Sequence, residues 1–249
     1  MRSIFGRLVL VGATVLAVNA AATPAAAADS VSSQAGEADS HASSAEAPAS
    51  AAPILPPCED RAFNLIGGHW SQPVHWKFNA ESTPPGFNVA AVESVLVRSF
   101  NNITGSNNNC GRADKVSAQN SYDGRTQRSA SVSRFGLCSR RDDRNVVSFG
   151  TLPRGVLAVT CTRHFRNRIV EADIRINSRY EWALNASACS NQELLEPTVT
   201  HEVGHVFGLA HVGERRHPLL TMSTRSDGPC SNAASTLGLG DMLGLEALY

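Results

Sequence analysis

The chain has 249 residues and no net formal charge, since its 22 lysine and arginine residues equal its 22 aspartate and glutamate residues. A hydrophobic content of 42% is ordinary for a globular protein, and the length suffices for one sizeable core with a tail besides. Without an excess of basic charge, binding to nucleic acid or to an acidic membrane surface is not expected.

Residues 1–28 have the three-part layout of a secretory signal peptide. Arg2 and Arg7 make the start positive, an apolar run follows at 8–18, and small residues fill 25–28, where cleavage is predicted. The apolar run is far shorter than the about 20 residues of a bilayer helix, so a membrane anchor is the less favoured alternative. The sequence therefore predicts an exported protein with no membrane segment once the signal peptide is removed.

Residues 29–57 form an Ala/Ser/Pro-rich segment with few large apolar side chains. Such a segment buries too little surface to offset its ordering entropy, which predicts a disordered linker or pro-segment. A spacer is favoured over a pro-segment, and the composition does not exclude either. Residues 58–249 are then the single folded domain, and they contain all of the cysteines.

The six cysteines predict three disulfide bonds, because an exported protein matures in an oxidising compartment. The pairing among them does not follow from the sequence. No two cysteines have the CxxC spacing, which disfavours a cysteine-ligated zinc site. The disulfide candidates are Cys58, Cys110, Cys138, Cys161, Cys189 and Cys230.

The periodicity of the folded domain places strands before helices, which indicates an α+β fold. Strands are predicted at 74–78, 145–150, 156–162 and 169–176, and helices from Val89 and from about Pro197. Asn88 can cap the first helix. In the last strand the apolar residues share one face; they are Val170, Ala172, Ile174 and Ile176.

The chemistry is concentrated in residues 201–211, HEVGHVFGLAH, which match the pattern HExxHxxGxxH. On a helix, His201 and His205 lie one turn apart on one face and can bind one metal ion. Gly208 can adopt a positive φ that ends the helix, so that His211 returns as a third ligand. Three imidazoles leave one coordination position open, which is typical of catalytic zinc.

Glu202 projects about 100° round the helix from His201, at the edge of the metal-binding face. From there its carboxylate can reach a zinc-bound water without being a ligand. Glu202 would then act as the general base that takes the proton of this water and later passes it to the leaving amine. Metal-free core and surface histidines are the alternative interpretation, and the full pattern disfavours it.

This extended motif resembles that of the metzincin zinc metallopeptidases, and further residues resemble the matrixin catalytic domains among them. The resemblance makes Met222 the Met-turn residue, a hydrophobic floor rather than a ligand, and Asp241 the aspartate that supports that turn. A short segment also resembles the edge strand that binds extended substrate. Its residues are Val156, Leu157 and Ala158.

The resemblance implies a metzincin-type catalytic domain with a twisted mixed sheet, a long N-terminal helix, an active-site helix and a C-terminal helix. It also implies a secreted, monomeric zinc endopeptidase with one catalytic Zn²⁺, which hydrolyses extracellular proteins or peptides. The alternative is a non-catalytic, metal-stabilised extracellular binding or adhesion module on the same fold, which an intact Glu202 disfavours. Neither the subfamily nor the cleavage specificity follows from the residues.

Two smaller expectations concern cysteines and calcium. Since Cys189 would precede the active-site helix and Cys230 would follow the Met-turn, we expect these two to pair. By its position, Cys58 is the candidate for a latency cysteine, which would keep the enzyme inactive by binding the metal. That role would leave one of the other five cysteines without a disulfide partner, so a disulfide at Cys58 is favoured. Asp142 and Asp143, together with Asn145, could bind calcium, yet a turn before a strand explains them equally well.

Overall fold

The computed structural model describes residues 53–226 and 228–249, and the backbone of a short strand at Thr14–Ala17. The signal peptide predicted at 1–28 and the linker predicted at 29–57 therefore lie largely outside the described residues. The carbonyl oxygen of Pro57 accepts a hydrogen bond from the amide of Leu239 at 2.7 Å, so the folded part begins before Cys58. Within the described residues, no helix is long and apolar enough to cross a membrane.

A six-stranded mixed sheet and α-helices make up the described part, in agreement with the predicted α+β class. The strands are β1 (Thr14–Ala17), β2 (Asn64–Leu65), β3 (Val74–Phe78), β4 (Asn120–Arg125), β5 (Val146–Gly150), β6 (Val156–Phe165), β7 (Arg168–Asn177), β8 (Trp182–Ala183), β9 (Glu193–Leu194) and β10 (Leu209–Ala210). The helices are α1 (Val89–Thr104), α2 (Leu195–Val206) and α3 (Leu239–Glu246).

The sheet has the strand order β1-β6-β7-β5-β3-β4. Neighbours from β7 to β4 run parallel, whereas β6 is antiparallel to β7 and β1 is antiparallel to β6. All four predicted strands form, and β6 extends to Phe165. The unpredicted strand β4 carries Asn, Asp and Gly, which are poor strand formers, and it forms by pairing with β3.

Both long helices begin near the predicted residues. The side chain of Asn88 accepts a hydrogen bond from the Ala91 amide at 3.1 Å and caps α1. Helix α2 begins at Leu195, so Pro197 lies in its first turn, where a missing N–H leaves no hydrogen bond unmade. Helix starts therefore follow the local residue types closely.

The main hydrophobic core lies between one face of the sheet and the helices. Trp76 of β3 stacks on Phe100 of α1 with ring centroids 4.0 Å apart, and both are fully buried. Val199 and Val203 of α2, and Phe207 directly after it, anchor this helix in the core, since none of them has exposed surface. The position of α2 is therefore set by packing along its length.

The opposite face of the sheet is also covered. Val132 belongs to a smaller apolar cluster with Val159 of β6, and the Arg175 guanidinium donates to the Val132 carbonyl oxygen. Beneath this cover Glu171 and Asp173 of β7 are each 1% exposed. Polar residues of β7 that alternate with apolar ones are thus buried rather than solvated.

Three disulfide bonds are present, as predicted, and no described cysteine is free. They join Cys58 to Cys110, Cys138 to Cys161 and Cys189 to Cys230. The last is the pairing expected from the sequence, and the first leaves Cys58 unable to cap a metal. A disulfide bond that closes a loop typically stabilises a fold by about 2–4 kcal/mol.

Candidate metal centre

His201 and His205 of α2 are almost completely buried, at 3% and 1% exposure. Their ring centroids are 4.8 Å apart, as expected for residues one helical turn apart. Gly208 follows the helix with φ +97°, and a Cβ there would lie 2.5 Å from the carbonyl oxygen of Gly68. Because only glycine suits this turn, the chain reverses there and brings His211 back to the other two.

The three imidazoles, named here the histidine cluster, converge through their Nε2 atoms. Nε2 of His211 lies 2.9 Å from that of His201 and 3.1 Å from that of His205. Nδ1 of His201 is 2.6 Å from the carbonyl oxygen of Thr221, and Nδ1 of His205 is 2.8 Å from that of Leu209. A carbonyl oxygen only accepts, so both Nδ1 atoms donate and both Nε2 atoms keep their lone pairs.

Lone pairs that face one another are mutually repulsive unless a cation lies between them. Around a tetrahedral ion with metal–nitrogen distances of about 2.0–2.1 Å, ligand nitrogens are about 3.3 Å apart, close to the observed spacing. Burial and the His211 imidazole lower the pKa of His201 to about 3, and burial lowers the pKa of His211 to about 4. Burial and the two neighbouring rings also lower the pKa of His205. The histidine cluster is thus neutral at physiological pH and could hold a metal ion.

Glu202 lies next to His201 in α2 and is fully buried. Its Oε2 accepts a hydrogen bond from the Thr160 hydroxyl of β6 at 2.5 Å, and its Oε1 has no hydrogen-bond partner among the described residues. Burial raises the pKa of Glu202 to about 8 against the lowering effect of the Thr160 hydroxyl. A carboxylate with one restrained and one unpartnered oxygen is suited to take and return a proton.

Met222 and Asp241 connect the loop after the histidine cluster to the helices. Met222 packs on α2 at Gly204, where an added Cβ would collide with its sulfur. Asp241 accepts hydrogen bonds from the amides of Thr221 at 2.9 Å and Met222 at 3.1 Å. The carbonyl oxygen of Thr221 accepts the hydrogen bond from His201. Asp241 therefore restrains the histidine cluster through Thr221, which it holds by the amide.

Residues 156–158 lie at the start of β6, whose outer edge pairs antiparallel with β1. Thr14 stands opposite Thr160, and Ala17 stands opposite Val156. Thr160 of this strand also contacts Glu202, which lies next to the histidine cluster. β1 lies in the segment predicted to be removed on export.

A second group of titratable side chains, named here the acidic cluster, was not identified from the sequence. It consists of Asp142, Glu171 and Asp173, whose carboxylate oxygens lie within 4.8 Å of one another and could hold a cation. Asp142, one of the residues considered for calcium binding, belongs to this cluster, whereas the side chain of Asn145 bonds the His75 carbonyl and the Ala172 amide. The i, i+2 spacing of Glu171 and Asp173 on one strand face was the available signal.

No protein-family model matches the chain, and no curated protein matches its sequence significantly. Its function is therefore inferred from the motif and from the geometry of the site.

Proposed function

We propose that the chain is a secreted, zinc-dependent endopeptidase of the metzincin type, similar to matrixin catalytic domains. The observation that carries the proposal is the convergence of three neutral Nε2 atoms next to a buried carboxylate. Imidazole ligands suit zinc, and three of them leave a coordination position for water or substrate. The three disulfides are consistent with an oxidising, extracellular compartment.

The catalytic residue is Glu202, which takes a proton from the attacking water and later passes it to the leaving amine. His201, His205 and His211 would hold the zinc, which would supply Lewis-acid chemistry that acidifies water and polarises a carbonyl. The Thr160 hydroxyl restrains Oε2 of Glu202, which leaves Oε1 as the oxygen that exchanges the proton. The carbonyl oxygens of Thr221 and Leu209 orient two of the ligand rings.

The substrate is proposed to bind as an extended strand on the outer edge of β6. This edge already pairs antiparallel with β1, so its backbone groups are arranged to receive a peptide. Recognition through backbone hydrogen bonds suits internal segments of a polypeptide, which favours an endopeptidase. The contact between Thr160 and Glu202 brings the scissile bond of such a peptide close to the general base.

Digestion of casein and of a peptide library tests the proposal. Zinc-loaded wild type should cut both, chelation should stop cleavage, and added zinc should restore it. Glu202→Ala should lower kcat by about 10²–10⁴, because general base catalysis is lost. The matched control is Glu181→Ala, which removes an exposed glutamate.

Two outcomes would oppose the proposal. An alanine variant at Glu202 that cuts as fast as wild type contradicts the mechanism. If no form of the protein cuts any substrate after zinc loading, a non-catalytic, metal-stabilised binding or adhesion module is favoured instead.

A further inference from the structure

A narrow pocket with a cavity volume of about 30 Å³ extends along α2 from the histidine cluster. One wall begins at Leu194, directly before α2, and continues along one line of the helix through Pro197, Thr198 and His201. The other wall is the loop that follows Met222. At a rise of about 1.5 Å per residue, Leu194 lies about 10 Å along the helix axis from His201. The pocket is therefore elongated, with a metal-ligand histidine at one end and Glu193 at the other.

Glu193 brings a buried carboxylate to the far end of this pocket, since the residue is only 9% exposed. Its Oε2 accepts one hydrogen bond, from the Ser226 hydroxyl at 3.2 Å. Among the described residues, no lysine, arginine or histidine forms an ion pair with it. Burial raises the pKa of Glu193. A buried carboxylate with one hydroxyl donor is stabilised when a cation is placed beside it.

The walls around Glu193 are held by covalent and backbone bonds. The disulfide between Cys189 and Cys230 joins the segment before β9 to the loop that forms the opposite wall. The Cys230 amide donates to the Gln192 carbonyl oxygen at 2.9 Å, and Glu193 pairs with Trp182 of β8. The carboxylate is thus held in a fixed position, and the narrow pocket has to widen when a side chain enters.

The direction of β6 shows which substrate residue this pocket receives. A peptide antiparallel to β6 runs with its C-terminus towards Val156. The side chain of Asn177 donates to the Val156 carbonyl oxygen at 2.7 Å, and the Trp182 indole donates to the Asn177 carbonyl oxygen at 3.0 Å. Trp182 in turn pairs with Glu193. The pocket therefore lies on the side of the residue that follows the scissile bond.

Arg225 lines the same pocket with the opposite charge, but its side chain is exposed. An exposed guanidinium keeps its water, so pairing with it contributes little to binding. Glu193 has lost most of its water, so its pairing with a cation contributes more. The buried carboxylate, rather than the exposed guanidinium, then sets the charge that the pocket prefers.

We propose that this pocket selects lysine or arginine immediately after the bond that is cut, and that Glu193 determines this preference. The proposal rests on the proposed peptidase function and names its substrate class. The methylene stem of a basic side chain would lie against Leu194 and Pro197, while its charge reaches the carboxylate. Substrates would accordingly be polypeptides with exposed, extended stretches that contain basic residues.

The test uses peptides that differ only at this position, which is lysine, norleucine or glutamate. Cleavage is measured with zinc-loaded wild type, and binding is measured by fluorescence anisotropy with zinc-loaded Glu202→Ala. We expect the lysine peptide to exceed the norleucine peptide roughly 100-fold in kcat/KM and in affinity, as for a desolvated charge pair. Glu193→Gln should bring both ratios close to one, whereas Glu181→Gln, at an exposed glutamate beside β8, should keep them.

The remaining outcomes distinguish failure of the inferred preference for basic residues from failure of the proposed peptidase function. Cleavage without preference for lysine contradicts the inference and leaves the peptidase function standing. A preference for glutamate that Arg225→Gln removes also contradicts it and assigns the selectivity to Arg225. Lysine-selective binding without any cleavage supports the pocket and contradicts the peptidase function, and absence of both contradicts both. If Glu193→Gln does not fold, as judged by circular dichroism, the ratio of lysine-peptide to norleucine-peptide cleavage by wild type decides whether the inference holds.

Discussion

In the histidine cluster and in the acidic cluster two of the three residues are buried, but the remaining polar atoms of the two clusters have different surroundings. In the histidine cluster, backbone carbonyl oxygens hold the second nitrogen of His201 and of His205. In the acidic cluster, three carboxylate oxygens are buried without a hydrogen-bond partner among the described residues. They are Oδ1 of Asp142, Oε1 of Glu171 and Oδ2 of Asp173.

The comparison shows two ways in which a fold tolerates buried titratable groups. The imidazoles are neutral when they are buried, so the backbone can orient them with their lone pairs together at modest cost. The carboxylates are neutral only when protonated, and burial raises the pKa of Asp173 to about 8 and also raises that of Glu171. Arg163 compensates little, because its Nε is 4.0 Å from Glu171. The histidine cluster could hold a metal ion, and the acidic cluster could hold protons or a cation.

The largest expected effect comes from removing a metal ligand. His205→Ala should weaken zinc binding by more than about 100-fold, beyond the effect expected from a residue that only orients a ligand. Zinc content after dialysis against a chelator measures this loss. His75→Ala is the control, because this side chain is 61% exposed and pairs with Asp123. Retention of one tightly bound zinc in His205→Ala would place the strong metal site elsewhere, with the acidic cluster as the first place to look.

The next effect tests whether the backbone around the histidine cluster is held by Asp241. Asp241→Ala leaves the amides of Thr221, Met222 and Gly238 without their acceptor. We expect the free energy of unfolding to fall by about 3 kcal/mol, measured by urea denaturation. Asp241→Asn, which keeps one acceptor oxygen, should lose less. Equal stability of Asp241→Ala and wild type would show that the loop is held by packing alone.

Titration of the acidic cluster should make stability depend on pH. The pKa of Asp173 is raised to about 8 by burial, so between pH 5 and 7 the folded state holds a proton that the unfolded state has released. Stability of the metal-free protein should therefore fall as pH rises, by at most about 1.4 kcal/mol per pH unit. Denaturation curves of wild type and Asp173→Asn measure the difference, which cancels the contributions of other groups. Parallel pH profiles for the two proteins would mean that Asp173 is already ionised when folded.

The smallest effect concerns the Thr160 hydroxyl, which restrains Glu202, the proposed general base. Thr160→Val keeps the side-chain shape but removes the hydrogen bond to Glu202, so we expect kcat to fall about tenfold while zinc content is unchanged. Thr160→Ser should retain activity. Thr162→Val is the matched control on the same strand, since the Thr162 hydroxyl contacts His164 instead. A slower Thr162→Val enzyme would point to a general effect on β6.

The elements that the sequence predicted well are those whose signals are local. The cap of α1, the start of α2 and the strands β3, β5, β6 and β7 follow from periodicity and residue type. Strand β4 was not predicted, because its pairing with β3, rather than its own residues, keeps it extended. The burial of the second face of β7 was also not predicted, because the residues that cover this face are distant from β7 in the chain.

By itself the sequence determined the histidine motif, the position of Glu202 and the turn at Gly208. Helix geometry places residues one and four apart without reference to the rest of the fold, and a positive φ selects glycine locally. Only the tertiary structure decided the acidic cluster, the pocket at Glu193 and the contact of Thr160 with Glu202. In that contact the two residues are 42 positions apart. Such groups meet only when strands and loops pack, and no local pattern in the chain encodes the distance between them.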